Sequence, residues 1–145
     1  MDFFDAFDIS SSGLTAQRLR MNVISSNLAN INTTRTPEGG PYRRKDVVFA
    51  AIPGSQSFQD VLNSRMSGKV SEVRVVEIVD DTRPPLLKYD PHNPDANKEG
   101  YVSMPNVNLI EEMVNMISAT RSYEASVAAI KATKSMALKA LEIGR

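Results

Sequence analysis

The residues best suited to metal chemistry lie in one short run, Asp90-Pro91-His92-Asn93-Pro94-Asp95, followed by Asn97, Glu99 and Gly100. Asp95, Asn97 and Glu99 at alternate positions with glycine sixth match the first half of a calcium loop, where every second residue offers an oxygen to one ion. The twelfth position, which must supply a bidentate carboxylate, is Asn106, and no helical pattern precedes Asp95. Asp90, His92 and Asp95 form a weaker ligand set, and the prolines among them favour a solvated turn. With one histidine and no cysteine in 145 residues, zinc ligation, thiol catalysis and most nucleophilic chemistry lack candidates. No phosphate-binding glycine loop or dinucleotide fingerprint occurs. The sequence predicts no enzyme, metal, cofactor or small-molecule substrate.

Two other polar clusters stand out. Asn27, Asn30 and Asn32 crowd the end of an apolar-periodic segment, among Ser25, Ser26, Thr33 and Thr34. Their amides either satisfy the backbone of a neighbouring segment or cap the helix and start a turn, and the residue types favour the turn. Arg43-Arg44-Lys45 is the one concentrated basic run. Nothing nearby extends its charge, so it reads as a solvated edge or as an ion pair with another subunit. Lys+Arg and Asp+Glu both number 17, giving a net charge of zero, which argues against a nucleic-acid partner.

The elements that would hold these clusters are mostly helical. From 108 to 143 no proline or glycine occurs, Asn108 offers a cap, Glu111 stands three residues later, and Gly144 supplies a stop. A helix of that length is about 50 Å long. Met116, Ala119, Tyr123, Val127, Ile130, Leu138 and Leu141 form one apolar stripe, interrupted by Lys134. Ile110, Val114, Ile117, Ala125, Ala128, Ala132 and Met136 form a second. An amphipathic surface helix needs one apolar face, so this one requires partners on two sides. The larger first stripe suits the chain's own N-terminal helix, and the alanines of the second suit close approach by a neighbouring subunit.

That N-terminal helix is predicted within residues 1–30, where Leu14, Met21 and Leu28 repeat at seven with Ile24 and Ile31 between them. Gln17 interrupts the stripe, and Ser10 to Gly13 weaken it enough to predict a kink or a later start. Between the helices, residues 47–52 and 70–79 have the β-branched content of strands, and Leu86 to Tyr89 could add a third. Residues 56–66 read as a helical turn or a loop. The expected architecture is mainly α. Long terminal helices (1–35 and 105–145) pair as a coiled-coil-like hairpin, forming one axial domain, and a small irregular β insertion (36–104) joins them. A hydrophobic content of 41% and a charged content of 23% suit one globular unit. The N-terminus lacks the pattern of a cleaved secretory signal, and no stretch is apolar enough for direct membrane insertion.

Several motifs resemble the bacterial flagellar rod and hook family: Ser26-Asn27-Leu28-Ala29-Asn30 with Asn32-Thr33, the exit Glu38-Gly39-Gly40-Pro41-Tyr42-Arg43, and Tyr101-Val102 with Met104-Pro105-Asn106-Val107. Glu112-Met113-Val114-Asn115 and Arg121-Ser122-Tyr123-Glu124-Ala125 extend the match into the last helix. The glycine-containing exit is most similar to the proximal-rod members, whereas residues 55–81 carry no matching motif. The resemblance implies a structural subunit of the flagellar basal body, in the rod that spans the periplasm. It also implies type III export without a cleaved signal, helical assembly with itself and other rod proteins, contact with the membrane-ring and export apparatus, and torque transmission for motility. The competing expectation is a cytoplasmic coiled-coil adaptor of fixed stoichiometry, its stripes closed into a bundle seam.

Overall fold

A computed structural model describes residues 3–53 and 71–143 of the chain. Helix α1 spans Phe3–Ala29, strands β1 and β2 span Lys45–Pro53 and Ser71–Asp80, β3 and β4 span Leu86–Tyr89 and Tyr101–Met104, and helix α2 spans Leu109–Ile143. Two long terminal helices with a small β segment between them are the architecture expected from the sequence. The segment 56–66 and the stop at Gly144 lie outside the described residues.

The helices run antiparallel. Asn27 meets Glu112, Met21 meets Thr120 and Gly13 meets Ser126, so positions rise along α1 as they fall along α2. Asn108 caps α2 as its sequence predicts, its Oδ1 accepting from the N–H groups of Ile110 and Glu111 at 3.0 and 3.4 Å. The later start that Ser10 to Gly13 would allow does not occur, because α1 runs through that stretch. Ser10, Ser12 and Thr15 donate to carbonyls of the preceding turn, those of Ala6, Ile9 and Ser11, and Ser12 Oγ also accepts from the Val73 N–H of β2 at 3.2 Å.

The β segment is two antiparallel ribbons. β1 pairs with β2, with a register shift between Val48 and Phe49 that leaves Val76 opposite no residue. β3 pairs with β4 from Leu86↔Met104 to Tyr89↔Tyr101, and β4 is a strand the sequence reading did not separate from its loop. The core is small and sits at one end of the helix pair. Among the described residues its buried apolar side chains are Ala16, Val23, Ile24, Val47, Val102, Val107 and Ala119.

Gly100 belongs to the β3–β4 connection. Its φ is +84°, and a Cβ there would lie 2.9 Å from Tyr89 Cε2 and 3.3 Å from Pro91 Cβ. The Tyr89 ring is held edge-on to Tyr101, with centroids 5.3 Å apart. We expect Gly100→Ala to cost about 1–3 kcal/mol from backbone conformation alone. It should also displace the tyrosine pair. Thermal unfolding and the near-ultraviolet circular dichroism of the tyrosines check both effects.

Candidate functional site

Where α1 ends and α2 begins, the chain buries a polar cluster instead of apolar side chains. Asn27 and Glu112 are each 0% exposed and Arg44 is 8% exposed. The Asn27 amide uses all four of its hydrogen-bonding sites. Its Nδ2 donates to the Lys45 carbonyl at 2.8 Å and to Glu112 Oε2 at 3.0 Å, while its Oδ1 accepts from the Lys45 N–H at 2.9 Å and the Tyr42 hydroxyl at 3.0 Å. Arg44 Nε donates to Glu112 Oε1 at 2.7 Å, and Arg44 Nη1 donates to Asp46 Oδ2 at 3.2 Å. Burial works against the Arg44 charge, but hydrogen bonds and attraction from Glu112 and Asp46 outweigh it and raise the guanidinium pKa above its ordinary value. The cluster ties together the end of α1, the start of β1 and the first turn of α2. It is a lock.

This arrangement distributes roles differently from the sequence reading. Asn27 serves the backbone of a neighbouring segment, whereas Asn30 serves the turn. Asn30 Nδ2 donates to the Ser26 carbonyl at 2.9 Å, and its Oδ1 accepts from Thr33 Oγ1 at 3.1 Å. Asn32 and Ala29 are exposed, Asn106 is half-buried and Pro105 is buried. Arg44 is not a solvated edge: it is 8% exposed and its shortest partner is Glu112 of the same chain, whereas Lys45 pairs with Asp80 at the surface. Sequence reasoning placed Glu112 in a family motif without giving it a role. Its position in the first helical turn is explained equally well by the macrodipole.

The acidic loop does different work from the ion ligation its spacing invites. Asp95 Oδ2 accepts from Thr34 Oγ1 at 2.7 Å, and Asn97 Oδ1 accepts from the N–H groups of Glu99 and Tyr101 at 3.0 and 2.9 Å. These oxygens fold the loop onto the turn after α1. Among the described residues no group of three His, Asp or Glu side chains is placed to hold a metal ion. Calorimetric titration of the chain with calcium should give no binding heat.

The helix faces divide cleanly. On α2, Ala119 is buried, and Met116, Tyr123, Val127 and Ile130 are half-buried on the side that carries Glu112, Thr120 and Ser126, the contacts to α1. On α1, Ile24 is buried, and Leu14, Met21 and Leu28 are half-buried. Farther out on α2, Leu138 and Leu141 are exposed. The second stripe is exposed throughout. Ile110, Val114 and Ile117 are 73%, 60% and 53% accessible, with Ala125, Ala128, Ala132 and Met136 continuing the surface. A single chain leaves this face uncovered.

The chain thus pairs its terminal helices into a long two-helix shaft and leaves one face of α2 bare. A family model described as flagella basal body rod protein matches residues 7–35, and one described as flagellar basal body rod FlgEFG protein C-terminal matches residues 98–143. The chain is 51% identical to the flagellar basal-body rod protein FlgC of Bacillus subtilis (strain 168), with all of both chains covered. It is 48% identical to that of Borreliella burgdorferi, covering 99% of this chain and 98% of the relative, and 42% identical to that of Escherichia coli O157:H7, covering all of both. The chain belongs to the FlgC family of flagellar basal-body rod proteins. Membership places it in the basal body, gives it a structural role and implies assembly with other rod proteins.

Proposed function

We propose that this chain is a proximal-rod subunit that assembles with copies of itself and with other rod proteins into the helical drive shaft, and that torque for motility passes through these contacts. The observation that carries the reading is the exposed outer face of α2, from Ile110 through Met136, on a helix already paired along its other side. In this assignment segments 1–35 and 105–145 act as one axial domain, with the α1-facing stripe as the intramolecular seam and Ala125, Ala128 and Ala132 as the contact to a neighbouring subunit. Residues 36–104 are the insertion carried on that axis. Contacts that do not close on themselves generate a tube. The rod would span the periplasm and meet the membrane-ring and export apparatus, and the chain would leave the cytoplasm through the type III route without a cleaved signal. Full-length similarity to rod proteins disfavours a cytoplasmic adaptor.

Basal bodies isolated from a strain whose only copy is epitope-tagged test the assignment. Recovery of the tag with rings and rod is expected, and a tag found only in the cytosol as a fixed small oligomer would return the adaptor to favour. Ala128→Leu examines the neighbour-facing surface. Ala128 is exposed in the single chain, so the isolated protein should unfold unchanged. Overpacking a tight intersubunit contact costs about 1–3 kcal/mol. Fewer completed rods per cell are expected.

A further inference from the structure

Gln17 Oε1 is buried and accepts no hydrogen bond. It lies between Gly13, which approaches Ser126, and Met21, which meets Thr120. It therefore faces the α1–α2 seam at a place where small and polar residues replace apolar ones. Gly13 has no side chain to contribute, and the hydroxyls of Thr120, Ser122 and Ser126 are turned back to the carbonyls of Met116, Ser118 and Ser122. Among the described residues, the fully buried apolar core reaches no farther from the lock than Ala16 on α1 and Ala119 on α2. Beyond Ala16 on α1 and Ala119 on α2, no described residue of either helix is fully buried.

We propose that the seam around Gly13, Gln17 and Ser126 is a built-in hinge, at which the distal arm of the helix pair opens as a unit while the lock keeps the proximal half closed. An unsatisfied buried acceptor favours any motion that admits water, and a glycine inside a helix lowers the cost of unwinding there. Opening would uncover Val127 and Ile130, so the hinge governs when those side chains become available to another helix. It is a property of the single chain, and its test does not depend on rod membership.

Hydrogen exchange on the full-length chain decides it. In the parent protein, amides of residues 126–143 should exchange together and at least tenfold faster than those of residues 113–119. Two substitutions should close the hinge by different means. Gly13→Ala adds helix propensity, and its Cβ would sit 3.5 Å from Ser126 Oγ, an ordinary contact. Exchange of the distal amides should slow about fivefold. Gln17→Leu removes the orphaned acceptor and should slow them about tenfold. Equal protection of proximal and distal segments in the parent overturns the hinge, as does either substitution leaving distal exchange unchanged or faster.

Discussion

Glu112→Ala should unfold the junction between the helices. The substitution leaves the Arg44 guanidinium in a site where it is 8% exposed without its shortest partner and deprives Asn27 Nδ2 of one acceptor. Removing one member of a buried ion pair costs about 3–5 kcal/mol, because the surviving charge stays desolvated. That is a large share of the about 5–15 kcal/mol that holds an ordinary domain folded. Urea unfolding followed by circular dichroism should show the unfolding free energy falling by that amount, or no cooperative transition. The double substitution Arg44→Met with Glu112→Leu is the informative partner, since it removes both charges and fills the space with apolar atoms. It should recover a substantial part of the loss. If Glu112→Ala unfolds like the parent, the pair is not the lock described above.

Ile117→Asp and Val127→Asp should separate folding from assembly. Ile117 is 53% exposed on the outer face of α2, so aspartate there remains hydrated in the free chain and its unfolding should be unchanged within about 0.5 kcal/mol. Burying that carboxylate against a neighbour without a partner costs several kcal/mol at every repeated contact. A strain carrying Ile117→Asp should therefore make soluble, folded protein and no functional rods. Val127 lies on the side facing α1, so Val127→Asp should loosen the helix pair of the isolated chain before assembly begins. Swimming cells with Ile117→Asp would show that the outer face is not an interface.

The contrast between helix faces and lock marks what the sequence could disclose. A stripe repeats, so Tyr123, Val127 and Ile130 announce their common side by spacing alone. The helix hairpin followed from two such patterns. The lock has no period. Glu112 sits beside Glu111 in a first turn where acids are ordinary, and Arg44 sits in a basic run that resembles any solvated surface. Their meeting across 68 positions depends on how the helices are crossed by the β segment, which no local pattern encodes. Asn27 was legible as one of three asparagines crowding the end of the first helix, but its four partners were not. Ser10 to Gly13 went the other way: their weak propensity allowed a later helix start, and α1 includes them, with Ser12 bonded to β2 and Gly13 beside Ser126.

Asn27 and Glu112 are 85 positions apart, and that interval has a temporal meaning during synthesis. A ribosome adding roughly 5–20 residues per second needs about 4–17 s to travel from one to the other. Until the first turn of α2 has emerged, the amide at the end of α1 has no carboxylate to meet, and the large loop that their contact closes does not exist. The nascent chain therefore passes most of its translation time unable to complete its own core. For those seconds its apolar surface stays open to solvent and to other chains.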